Sequence, residues 1–204
     1  LLEETKEHAD KIKENYKNNP QNNWVSRFMK NDNYEIIGIE GNGDCFFSVI
    51  RDGFAQVGKR TTVEKLRTML SNEVTVELFE QYKNLYEGFY GMIKEIHATR
   101  TKIRNDIKML KKQRELELNK PNSDKNKIDS IIEKANLLVD EYKEYGEEDK
   151  STKKLLDEFK FMENIKNIDD LKEFIKTREY WADTWAVSTM ERILNIKLIV
   201  LSQT

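Results

Sequence analysis

Residues 36–54 read IIGIEGNGDCFFSVIRDGF. The β-branched stretch Tyr34–Ile39 predicts a short strand. Glu40–Asp44 predicts a polar turn containing glycine, and Cys45 opens an apolar helix. Phe46, Val49, Ile50 and Phe54 recur at helical spacing and Phe47 widens the apolar arc, so this helix is expected to be buried. Cys45 is the only cysteine in the chain. In the first turn of a helix the unpaired N–H groups and the dipole favour an anion, which for a cysteine is the thiolate. Gly41 and Gly43 let the backbone turn tightly enough for several N–H groups at Asn42–Cys45 to converge, an arrangement that also holds the oxyanion of a tetrahedral intermediate. On that basis Gly43→Val is expected to lower turnover and spare the fold. The same spacing suits a structural cysteine packed as a small hydrophobe.

Gly41-Asn42-Gly43-Asp44-Cys45-Phe46-Phe47 resembles the nucleophile motif of the ovarian-tumour (OTU) family of cysteine proteases, which remove ubiquitin. The family's usual Asp-Gly-Asn before the cysteine stands here as Asn42-Gly43-Asp44, with acid and amide exchanged. Thr62-Val63-Glu64-Lys65-Leu66-Arg67 resembles the start of the helix that follows in the family. Trp181-Ala182-Asp183-Thr184-Trp185-Ala186-Val187-Ser188-Thr189-Met190, with Ile193–Val200, resembles its later helix and the strand after it. These pieces come in the family's order and span roughly residues 30–70 and 178–202. The resemblance implies an α+β fold: an OTU-like core in which a small sheet, Tyr34–Ile39 and Ile196–Leu201, is flanked by helices. It implies Cys45 as the nucleophile, with Asn42 as its catalytic companion and Gly43 and Asp44 in the oxyanion loop. The family's catalytic histidine follows the strand matching Leu198–Leu201, which puts it beyond Thr204 and outside this chain. Of the two histidines present, His97 is the only substitute base considered, and the sequence around it offers no orienting acid; His8 lies among charges and reads as solvated. The chain begins without Met and is expected to be part of something longer.

Charged residues make up 35% of the 204 and nearly cancel, to a formal net charge of −2. That balance argues against a nucleic-acid binder, which would show a basic excess. One cysteine permits no internal disulfide and suits a reducing compartment, so the expected location is cytoplasmic, or the host cytosol if the source is a virus or a pathogen effector. No apolar run approaches the ~20 residues of a membrane span, and the acidic start carries no expectation of a signal peptide. No Cys/His cluster suits a metal, and no cofactor is expected.

The remaining chain reads as helices. Residues 3–18 form a polar surface helix with a thin stripe of Ala9, Ile12 and Tyr16, and Trp24–Met29 a short amphipathic one. Thr62 is the expected N-cap of a helix carrying Val63, Leu66, Met69 and Leu70. A long helical pattern over 74–118 breaks at 119–124, and a second, from Ile128, ends at Gly146. Together they predict an antiparallel hairpin inserted into the core. The arm is either structural or a surface for a partner. Lys150–Phe161 and Ile168–Ile175 are expected as two further helices, followed by Trp185–Leu194, which Asn195 stops. Trp181 and Trp185, four apart, share a helix face as core or as the wall of a substrate groove. The expected organisation is 1–73 and 150–204 as the halves of the core, with 74–149 as the insertion.

The function expected from these residues is that of a deubiquitinating thiol protease acting on ubiquitin or polyubiquitin chains, without nucleic acid or membrane. Cys45 attacks the carbonyl of ubiquitin's C-terminal glycine. The competing expectation is a non-catalytic module that binds ubiquitin or another partner and recruits through the arm. A thiol hydrolase or transferase with another acyl group is a third.

Overall fold

The computed structural model describes residues 5–202. They form eight α-helices and a single 3₁₀ segment: α1 Lys6–Asn15, α2 Trp24–Met29, α3 Cys45–Gln56, α4 Val63–Asn72, α5 Val76–Leu118, α6 Lys125–Glu158, the 3₁₀ segment Lys160–Asn164, α7 Ile168–Ile175 and α8 Thr184–Leu194. Among the described residues there is no strand. The α+β expectation is therefore corrected to an all-helical fold, and the OTU-like core, which requires a sheet, is overturned with it.

The two expected strands show why. Both stretches lack helix and ladder alike, although their β-branched residues favour extended backbone. A strand needs a neighbour's backbone groups, and in each stretch one backbone group bonds to a side chain instead. The Tyr34 carbonyl accepts from Asn23 Nδ2 at 2.8 Å and Ser26 Oγ at 2.7 Å. The Leu198 N–H donates to Glu191 Oε1 at 2.8 Å. Ile199 and Val200 are 79% and 84% exposed, so no second layer covers that segment.

The helices start where local chemistry sets them. Thr62, Thr75, Asp124 and Asp183 each accept from the backbone N–H three residues on, closing α4, α5, α6 and α8. Asn195 stops α8 in the left-handed conformation, at φ 49°. α1 is shorter than the expected 3–18: it ends at Asn15, and Glu3 and Glu4 lie outside the described residues. The larger departure is α6, which runs through Gly146 to Glu158 where the sequence predicted a stop and a new helix. A mid-helix glycine costs only ~1 kcal/mol against alanine, which a long packed helix absorbs.

The chain forms two compact units. The first joins the stretch up to Val74 with that from Asp169. Its core is built on Phe47 and Ile50 of α3, Leu66 and Leu70 of α4, Leu171 and Ile175 of α7 and Met190 of α8, all buried; each contributes ~1.5–3 kcal/mol by burial. Val49, expected on the buried face of α3, is exposed. The second unit is Thr75–Ile168, the antiparallel hairpin of α5 and α6. Ile96, Ile103 and Ile131 are buried in it. Tyr82 packs against Phe159 and Phe161 with ring centroids 5.9 and 5.7 Å apart, and Phe89 stacks on Phe159 at 6.1 Å.

Candidate active site around Cys45

Cys45 is the first residue of α3 and is half-buried. Asp44 precedes it at the N-cap, a position where aspartate ordinarily caps. Here it makes no capping bond. Its carboxylate is drawn the other way: Oδ1 accepts from Arg67 Nε at 3.0 Å and Oδ2 lies 2.7 Å from Arg178 Nε. The N–H groups of the first turn, beginning with Cys45, have no intrahelical acceptor and no side-chain cap.

Arg67 is the organising residue. It is 2% exposed and forks across four partners. Besides Asp44 it donates to the carbonyls of Gly43 at 2.8 Å, Ile175 at 2.7 Å and Tyr180 at 3.3 Å. Its guanidinium lies 4.3 Å from the Phe47 ring centroid. One side chain thus ties the turn before Cys45 to the end of α7 and the segment entering α8.

The turn has two further supports. Asn42 Oδ1 accepts from the Asp44 N–H at 3.2 Å, and the Asn42 N–H donates to the Glu40 carbonyl at 3.0 Å. Asn42 therefore shapes the loop, and its N–H and that of Asp44 are engaged, which moves the available donors to Cys45 and the residues after it. Gly43 has φ 80°, and a Cβ there would sit 1.9 Å from the Arg178 carbonyl oxygen. The expectation that Gly43→Val spares the fold is corrected: the position admits no side chain.

The sequence motif contains Arg67 but assigns it no role, and it does not reach Arg178. The signal was present for Arg67. Val63, Leu66 and Leu70 mark the apolar stripe of α4, and Arg67 lies on it at i+4 from Val63. An arginine in that position is buried and needs partners.

A groove of about 440 Å³ adjoins the turn, lined by Asn42, Asp44, Ser48, Arg51, Lys176 and Arg178 among others. Its cations are paired within the unit: Arg51 with Asp52, Lys176 with Glu173 and Arg178 with Asp44.

The two tryptophans fall differently from expectation. α8 begins at Thr184, so Trp181 precedes it and shares no helix face with Trp185. Trp181 is 61% exposed, which corrects the core reading. It follows Tyr180, whose carbonyl Arg67 holds. Trp185 is half-buried in the first turn of α8.

Among the described residues of the first unit, no histidine is hydrogen-bonded to Cys45. His8 lies on α1, in a groove with Lys11, Asn15 and Asn31–Asn33. His97 lies on α5 in the second unit and does have an acid: its Nε2 is 2.9 Å from Asp149 Oδ1. The sequence missed this pair because the two residues stand on different helices. Asp149 also accepts from Lys153 at 2.7 Å. The Lys153 bond, seconded by His97, holds its carboxyl below the usual range.

Among the described residues no group of three or more His, Cys, Asp or Glu is placed to hold a metal ion, and no helix is long and apolar enough to cross a membrane. No protein-family model, curated protein or solved structure matches the chain.

Proposed function

We propose that Cys45 is the nucleophile of a thiol hydrolase, with ubiquitin conjugates as the substrate class implied by the sequence around it. The observation that carries the reading is the diverted cap. Arg67 and Arg178 hold the Asp44 carboxylate away from the helix start, so the first-turn N–H groups remain available to an anion. Such donors stabilise the oxyanion formed when a cysteine sulfur adds to a carbonyl. In the reaction the Cys45 sulfur attacks the carbonyl carbon of ubiquitin's C-terminal glycine. The amine leaves with a proton, and water releases the acyl group as the carboxylic acid.

The test is hydrolysis of a ubiquitin conjugate. Turnover that disappears in Cys45→Ala supports the proposal, and turnover that persists in Cys45→Ala contradicts it. A second reading, a module that binds ubiquitin or another partner without cleaving, is favoured by one observation: among the described residues of its own unit, no histidine is hydrogen-bonded to Cys45. Saturable ubiquitin binding with no turnover, unchanged in Cys45→Ala, selects that reading.

A further inference from the structure

The hairpin carries an apolar groove of about 500 Å³ between α5 and α6, lined by Asp106, Met109, Leu110, Gln113, Lys134, Leu137 and Leu138. Met109 and Leu137 are 59% and 66% exposed. They stand side by side: the cross-hairpin contacts Glu117–Lys127, Arg104–Tyr142 and His97–Asp149 fix an antiparallel register that sets residue 109 opposite residue 137. The charges around this centre follow a pattern. On α6, Lys134 and Glu141 flank Leu137 at helical spacing on the same face. On α5, Asp106 and Gln113 flank Met109 in the same way. Asp106, Lys134 and Glu141 form no ion pair with any described residue, whereas Glu117 and Asp149 on the same hairpin are paired.

We propose that this face binds a second copy of the chain, the two arms packing antiparallel as a four-helix bundle centred on Met109 and Leu137. The pattern is self-complementary. A two-fold axis through the centre, perpendicular to the helices, lays α6 against its copy in the reverse direction. Lys134 then faces Glu141 of the other chain, and Glu141 faces Lys134, so two ion pairs form from one sequence. The same axis sets Asp106 of α5 opposite Gln113, an acceptor against an amide donor. A parallel arrangement about an axis along the helices does not bring Lys134 to Glu141. The Met109 and Leu137 side chains close the centre, and the narrow face implies an interface at the small end of the stable range, so the dimer depends on concentration.

Sedimentation of the 204-residue chain over a concentration series up to ~1 mM tests this. A monomer–dimer equilibrium is expected. Leu137→Glu, at an exposed position, leaves the helical circular dichroism unchanged and abolishes the dimer. Lys134→Glu sets like charges against each other twice and weakens the dimer by about tenfold or more. The double variant Lys134→Glu with Glu141→Lys restores it. A chain that stays monomeric throughout overturns the proposal, as does a dimer unaffected by Leu137→Glu. A double variant no tighter than the single one overturns the antiparallel register.

Discussion

Arg67 holds the turn before Cys45 more firmly than any other side chain. It satisfies Asp44 and three backbone carbonyls while fully buried. Removing it leaves the Asp44 carboxylate with only the exposed Arg178 and strands the carbonyls. Arg67→Met is therefore expected to cost ~3–5 kcal/mol, read from the urea midpoint; a loss under ~1 kcal/mol would show that the clamp is not what orders the turn. Gly43 is constrained by the Arg178 backbone, which a Cβ would meet at 1.9 Å. Gly43→Ala is accordingly expected to lower the unfolding free energy, read from the urea midpoint, by more than the ~1 kcal/mol that positive φ alone accounts for, and a neutral Gly43→Ala would mean that the two segments do not touch. At this scale the sequence was informative about Cys45, which it placed at the helix start, and about Thr62 and Asn195. It was silent on what Asp44 does, because an aspartate before a helix ordinarily caps it, and only the distant Arg178 and the buried Arg67 turn it away.

The hairpin is the element the sequence described best in outline, since its apolar positions recur at helical spacing on both sides of a Pro-containing break. It was misread at Gly146. The glycine is a local stop signal, but Ile131–Tyr145 and Thr152–Leu156 share one continuous stripe that overrides it. The continuous α6 makes a prediction of its own. Alanine at 146 meets only the flexible end of Arg100, in ordinary contact at 3.5 Å, so Gly146→Ala is expected to stabilise by ~0.5–1 kcal/mol. Destabilisation would mean that the helix breaks there. Acid should act on this element through two carboxylates. Glu117 is held below its usual range by bonds from Lys120 and Lys127, and Asp149 by Lys153 and then His97, with Arg100 also facing it. Both values are depressed in the folded state, so their contribution is complete above about pH 4.5 and is lost as pH falls through the folded values. The melting temperature should drop below about pH 4, and Asp149→Asn should make that acid limb shallower. An identical limb in the variant would remove Asp149 from the account.

For the whole molecule, the fold class was the sequence's largest error, and Tyr34–Ile39 and Ile196–Leu201 explain it. Both have strand composition, but propensity describes how a residue fits a pleated surface once neighbours exist. Side chains of α2 and α8 take up the Tyr34 carbonyl and the Leu198 N–H instead. A motif of seven residues around a cysteine carries chemistry independently of the fold that displays it, so correcting the family leaves the proposed role of Cys45 to its own test. Cys45 is the claim on which the functional account stands. Its most direct test is intact-mass and peptide analysis after treatment with ubiquitin bearing a C-terminal electrophile. The account predicts one covalent adduct, mapped to Cys45 and absent from Cys45→Ala; no adduct, or an adduct that persists in Cys45→Ala, would contradict it.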